Sequence, residues 1–343
     1  MDHTGGPTQH RNDPAKPDGC RHRTLGGPMS ETGGASAPTE SGYRRVRHAG
    51  RRPAATLSIA ERDSTRCGGK VKIQVLGTLY AEVNGQSIVP TAGKPRQILS
   101  LLALHPGRVV PVPTLMEELW GTKPPQSALA TLQTYIPQLR RRLGSAMGPD
   151  APGTAKEVLA TRHNGYVMEI PAESVDVHAY ERMATEGRSA FRAGDDVVAA
   201  DRSRQALMLW QGPALVDVRV GPALKIEVMR LEESRLGTVE RRIDAALRLG
   251  RHTELLPELT ELTARHPQHE GLHSQAMVAL YRSGRQATAL DVYRKLRIRL
   301  IEELGVEPSP QVQRLHQAML VVDPQLDVVA GPRRISTFDL YAA

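Results

Sequence analysis

Residues 119–144 read LWGTKPPQSALATLQTYIPQLRRRLG, and the fold turns on this stretch. Gly121 ends one helix, Lys123-Pro124-Pro125 makes a rigid connector, and Ser127 stands where a helix N-cap belongs. From there Leu129, Leu132, Ile136, Leu139 and Leu143 recur at steps of three and four, which predicts one buried stripe on a helix over residues 128–143. The opposite side carries Thr131, Thr134, Gln138 and Arg141, flanked by Gln133, Arg140 and Arg142. A polar, basic helix face of about 10–12 Å width fits the major groove of B-DNA, where Thr, Gln and Arg read base edges. The same residues also fit a plain solvated helix end, with Arg140–Arg142 complementing the negative end of the helix dipole.

Upstream, residues 70–90 (KVKIQVLGTLYAEVNGQSIVP) alternate apolar and polar residues around Asn84-Gly85, a hairpin signal because both turn positions need positive φ. Residues 94–107 (KPRQILSLLALHPG) switch to helical spacing at Ile98, Leu101, Leu102 and His105, with Pro95 suited to a first helical position and Pro106-Gly107 as the stop. Val109-Val110 is a short extended piece. PTLMEELWG then gives a second helix that starts on Pro113 without a side-chain cap and carries Leu115, Leu119 and Trp120. Downstream, Gly144 to Gly153 reads as a polar connector, and residues 157–170 (EVLATRHNGYVMEI) as two strands around Asn164-Gly165. Strands, three helices and a hairpin thus fill residues 70–171.

The 343 residues leave room for a second domain, and the charge supports a division of labour. Of the net charge of +8, residues 1–69 hold +4, residues 70–171 hold +5, and residues 172–343 are balanced at −1. A compact basic module joined to a neutral one suits a protein that meets a polyanion with one part and proteins with the other. The richness in Arg argues less, because a G+C-rich genome gives the same bias. Residues 1–69, with 11 Gly and 6 Pro, read as a disordered basic extension whose cluster Arg44, Arg45, Arg47, Arg51 and Arg52 could add phosphate attraction. Two cysteines exclude a disulfide framework or a four-cysteine zinc site. The absence of a long apolar run or a secretory h-region points to a cytoplasmic protein.

Residues 172–322 read as successive amphipathic helix pairs. Leu249-Gly250-Arg251 returns as Ser283-Gly284-Arg285, an offset of 34 residues, the period of tetratricopeptide repeats. Ala193-Gly194-Asp195 looks like an earlier, less regular copy. Trp210, Tyr281 and Tyr293 are expected between the helices. One enzyme motif occurs: His269-Glu270-Gly271-Leu272-His273 spells H-E-x-x-H, which on a helix could place two zinc ligands and a general base together. A third ligand has no obvious source beyond Asp291, and Gly271 weakens the helix. No P-loop, G-x-S-x-G or G-x-G-x-x-G is present.

LWG-x-x-PP-x-x-A-x-x-x-LQTY-x-x-x-LRR-x-LG, together with LGTLYAEVNGQ, KPRQILSLLALHPG and TRHNGYVMEI, resembles an OmpR-type winged helix, and more narrowly the Streptomyces antibiotic regulatory protein (SARP) family of transcriptional activators. DVHAYERM, ALMLWQGPALVDV and the run from HPQHEGLH to QRLHQAML are similar to that family's bacterial transcriptional activation domain. The resemblance covers about residues 70–322. It implies a mainly α fold with small β: a winged helix-turn-helix at 70–171, a tetratricopeptide-like all-α domain at 172–322, and a tail at 323–343. It also implies that Thr131, Thr134, Tyr135, Gln138 and Arg141 face the groove, that Lys123, Arg140, Arg142, Arg162 and His163 meet phosphate or the adjacent minor groove, and that the turn Gly121, Thr122, Lys123, Pro124, Pro125, Gln126 faces RNA polymerase. One departure stands out: Pro137 removes a bond to the carbonyl of Gln133, worth about 3 kcal/mol in a helix interior, so a modest kink is expected.

The expectation is a sequence-specific activator, not an enzyme, without metal or cofactor. As a homodimer it would bind direct repeats in double-stranded promoter DNA and recruit RNA polymerase holoenzyme with its sigma factor to secondary-metabolite genes. It would not bind membranes. A repressor or a protein-binding scaffold is the alternative, and a zinc metalloprotease a remote third.

Overall fold

The computed structural model describes residues 71–149, 151 and 153–327; the expected disordered extension at 1–69 and most of the expected tail lie outside them. The chain opens with an antiparallel sheet of β1 (Val71–Gln74), β2 (Tyr80–Val83) and β3 (Gln86–Ser87). Val83 pairs with Gln86 across Asn84 (φ 51°) and Gly85 (φ 80°), the turn that the Asn-Gly signal predicts. Three helices follow: α1 (Gly93–Leu104), α2 (Val112–Trp120) and α3 (Ala128–Met147). The short strand β4 (Val110–Pro111) precedes α2. After α3 come α4 (Ala155–Val158), β5 (Leu159–Arg162) and β6 (Gly165–Met168), and the second sheet has the order β4-β6-β5.

Three local expectations are corrected. Helix α3 runs one turn beyond residue 143, through Gly144 to Met147. Ala146 and Met147 continue its buried stripe, and the Asn84 amide donates to the carbonyls of Ala146 (3.4 Å) and Met147 (3.3 Å), closing the helix end. At the other end Leu129 is 46% exposed, and Ala128 occupies the buried position instead. The tip of the second hairpin is His163-Asn164, not Asn164-Gly165: Arg162 pairs with Gly165, and His163 has the positive φ of 47°. Gly165 answers a different need. A Cβ there would stand 2.5 Å from the Val110 carbonyl oxygen, so β4 can pair with β6 only across a glycine. The connector also holds α4, which the sequence reading lacks; Thr154 and Glu157 form a capping box at its start.

The remaining helices are α5 (Asp176–Ala193), α6 (Asp196–Leu207), α7 (Pro222–Arg248), α8 (His252–Arg265), α9 (Glu270–Arg282), α10 (Gln286–Leu304) and α11 (Pro310–Leu320). The repeat noted in the sequence is a repeat of hydrogen bonds. Gly250 donates to the carbonyl of Leu247 and Arg251 to that of Ala246; Gly284 and Arg285 bond Tyr281 and Leu280 in the same way. Gly194 and Asp195 do so with Phe191 and Ala190. All three glycines have φ between 74° and 79°, so each helix pair turns on the same left-handed closure.

Two large hydrophobic cores result, with a small cluster of Ala199, Ala200 and Ala245 joining α6 to α7. One gathers residues from Ile73 to Leu231, and the other residues from Ile243 to Leu326. The first takes in the winged helix together with α5, the loop after α6 and the first half of α7. Trp210 lies buried in it, edge-on to Tyr180 at 5.4 Å and under the Arg235 guanidinium. Tyr293 is buried in the second and stacks on His316; Tyr281 is half-buried against it. Among the described residues no helix is long and apolar enough to cross a membrane.

Candidate nucleic-acid interface

Helix α3 is held by its stripe Ala128, Leu132, Ile136, Leu139, Leu143, Ala146 and Met147, all buried in the first core or against it. What it leaves outside is a face of Ala130, Thr134, Pro137 and Arg141, exposed at successive steps of four, three and four. Gln133 is exposed on one flank of it, and Thr131 and Gln138 are half-exposed on the other. Thr134 donates its hydroxyl proton to the Ala130 carbonyl (3.0 Å), and Thr131 its own to that of Ser127 (2.9 Å). Each hydroxyl oxygen keeps lone pairs free to accept, and Thr134 shares its exposed face with the donor guanidinium of Arg141.

The other predicted positions separate into two groups. Arg140 turns away from this face: its Nε donates to the Leu159 carbonyl (2.8 Å) and a terminal nitrogen to the Thr161 hydroxyl (2.9 Å). It ties α3 to β5 and so sets the hairpin's position. Tyr135 is half-buried and packs against the core. Arg142 is exposed and reaches back to the Val89 carbonyl at 3.4 Å. At the hairpin, Arg162 and His163 are exposed, with the Arg162 Nε 3.7 Å from Glu169. Thr122, Lys123, Pro124, Pro125 and Gln126 are exposed between α2 and α3, and Gly121 is half-exposed. Pro137 is carried inside an unbroken helix, with its ring on the outer surface.

The back of the winged helix is fastened to the helical half by carboxylates on backbone N–H groups. Asp176, in the first turn of α5, accepts from Val75 (3.0 Å) and Leu76 (3.1 Å); burial pushes its carboxyl up, and those N–H donors pull it back. Glu118 of α2, 2% exposed, accepts from Gly221 (2.6 Å) and Leu224 (2.9 Å) and so caps α7, while Gln97 donates to it from α1. Asp217 accepts from Leu79 (2.7 Å) and pairs with Arg96. The backbone adds Gln211 to Leu76, Leu215 to Val75 and Val216 to Gly77. Sequence reading missed this seam. Glu118 carried a signal, since it lies with Leu115 and Leu119 on the buried stripe of α2, where a charged residue needs a partner.

The H-E-x-x-H motif is dispersed by the fold. His269 precedes α9 as its N-cap, accepting from the Leu272 N–H, and Glu270 accepts from the Ser309 N–H at 2.8 Å. His273 bonds the His269 carbonyl. Among the described residues no three His, Cys, Asp or Glu side chains stand together so as to hold a metal ion.

Residues 85–168 match the profile of the family described as transcriptional regulatory protein, C terminal, and residues 175–320 that of the bacterial transcriptional activator domain. Regulatory protein DnrI of Streptomyces peucetius is 55% identical over 257 residues, spanning 75% of this chain and 94% of its own length. The chain belongs to the SARP family. It is a transcriptional activator, not an enzyme. Regulatory protein AfsR of Streptomyces coelicolor is 40% identical over 75% of this chain but only 25% of its own length, so the SARP unit here corresponds to a quarter of that protein. A solved structure of EmbR from Mycobacterium tuberculosis, in complex with a low-affinity phosphopeptide, aligns with a TM-score of 0.69 at 31% identity, over 75% of this chain and 66% of that one.

Proposed function

We propose that this SARP binds double-stranded promoter DNA by laying the outer face of α3 in the major groove. Thr131, Thr134, Gln138 and Arg141 would meet base edges, and Lys123, Arg142, Arg162 and His163 phosphates or the neighbouring minor groove. The observation that carries this is the division within α3: its buried stripe is complete, while Thr134 and Arg141 project from an otherwise unoccupied face. Arg140 serves as the brace between α3 and the hairpin, with Leu159 and Thr161 as its partners. Homodimers on direct repeats would place two such faces on one side of the duplex. The exposed turn Gly121–Gln126 would meet RNA polymerase holoenzyme and its sigma factor. The two working parts would be residues 70–171 and 172–322, in the cytoplasm, and the genes those of an antibiotic or other secondary-metabolite pathway.

The test is binding of the full chain to promoter DNA from its own gene neighbourhood, titrated across salt against random competitor. Tighter binding to the promoter with a steep negative salt slope supports the reading. Binding no better than to random DNA at any salt overturns it for those promoters.

A second reading, a protein-binding scaffold, has an observation of its own. An open groove of about 630 Å³ lies between α8, α9 and α10, lined by Thr260, Thr263, His273, Lys295, Ile298 and Arg299. A chain whose Arg141→Ala variant keeps all transcriptional output would favour it.

A further inference from the structure

Pro137 stands outside the packed interior of the described residues. It is exposed on the outer face, and it denies α3 the bond to the Gln133 carbonyl in the middle of a helix 20 residues long. Yet its place is central. On the outer face it stands between Thr134, whose hydroxyl oxygen is an acceptor, and Arg141, a donor one turn on. The pyrrolidine ring offers neither donor nor acceptor, and it loses almost no side-chain freedom when covered. Against the major-groove edge of a base pair, only the C5-methyl group of thymine rewards such a surface; the exocyclic amino groups of adenine and cytosine and the oxygen of guanine would be stripped of water with nothing in return.

We infer that Pro137 is a specificity-determining residue that packs on a thymine methyl group, within one or two base pairs of the base that Arg141 reads. The helix rise sets that distance: four residues place the two side chains about 6 Å apart along the axis, against about 3.4 Å per base pair. The inference rests on the DNA-binding reading of α3 and goes further, because it names the base at one position and the atom that is recognised.

The experiment selects duplexes from a random library with the full chain and with Pro137→Ala, which keeps a small apolar side chain and restores the N–H. The selected site is then remade with deoxyuridine in place of each thymine in turn, which removes the methyl group alone. The wild-type chain is expected to require thymine at one position per half-site and to lose about 3- to 5-fold in affinity on uracil there, the worth of one buried methyl group. Pro137→Ala, whose single methyl group covers less than the ring, is expected to lose most of that preference, to narrow the gap between the two duplexes, and to keep every other position of the site. Pro137→Gln, able to pair with adenine, is expected to select adenine instead. The inference is overturned if uracil is tolerated at all positions, or if its penalty persists undiminished in Pro137→Ala. Should the wild-type chain select no sequence at all, the DNA-binding reading falls and this inference with it; a selected site without uracil sensitivity leaves the reading standing and removes Pro137 alone.

Discussion

The winged helix has two polar faces that are built in opposite ways. On the outer face of α3, the Thr134 oxygen and the Arg141 guanidinium project from exposed positions. On the rear, Asp176, Glu118 and Asp217 each hold backbone N–H groups of the opposing part, and the apolar residues around them form one core with α5 and α7. The contrast shows how a reading head is kept rigid. Groups that must meet a ligand stay solvated until it arrives, while groups that fix the head's direction are satisfied within the chain, where an unpaired N–H would cost about 1–3 kcal/mol.

The harshest way to break this contrast is at Glu118. Glu118→Ala leaves the N–H groups of Gly221 and Leu224 buried without their acceptor and removes a carboxylate from the positive end of α7. A loss of about 3–5 kcal/mol is expected. Urea unfolding checks it, and the signature matters as much as the size: the first core should melt ahead of the second, splitting one transition into two. Gly221→Ala should act alike, since its Cβ would collide with the Glu118 backbone and lie 2.8 Å from the carboxyl carbon. Asp176→Ala removes the acceptor of Val75 and Leu76 and should cost about 2–3 kcal/mol, read as a lower urea midpoint.

That seam marks the limit of what the sequence disclosed. The three helices of the winged helix, the first hairpin and the α3 stripe apart from Leu129 were legible because each rests on local periodicity or on a turn residue such as Asn84-Gly85, whereas the four-residue α4 is too short to show a period. The 34-residue repeat was legible for the same reason, and it resolves into identical bonds at Gly250 and Gly284. The set expected to face a groove, Thr131, Thr134, Gln138 and Arg141, follows from the same wheel; Thr134 and Arg141 are exposed, and Thr131 and Gln138 half-exposed beside them. Arg140 does not follow from it, because its direction depends on β5, 19 residues away. The Asp176 contact with Val75 spans 101 residues, and nothing in either segment points to the other. Long-range polar pairing carries no period.

The outer face is sharpened by Arg141→Ala. If Arg141 reads a base, the variant loses about 1–3 kcal/mol on the selected site and relaxes the sequence requirement at one position, with urea stability unchanged. Uniform weakening on all duplexes would make Arg141 a phosphate contact. Either result separates the two faces, because no seam residue touches it.

The smallest effect concerns protons at the seam. His105, at the end of α1, lies 3.7 Å from Glu227 of α7, yet burial holds its imidazole below the ordinary value. Arg108, Arg230 and His178 push the same way, and Glu227 only partly opposes them. The folded chain therefore binds this proton less readily than the unfolded one. By linkage, stability is full above the ordinary imidazole pKa of about 6.5 and falls as pH drops through it toward the lower folded value. His273 and His316 are shifted down as well, so the second core should lose stability over the same window. Comparing thermal unfolding at pH 7.5 and 5.5 with His105→Gln isolates the seam: the variant's midpoint should fall less than the parent's on acidification. An equal loss in both proteins would place the acid sensitivity in the second core and leave the seam indifferent to pH.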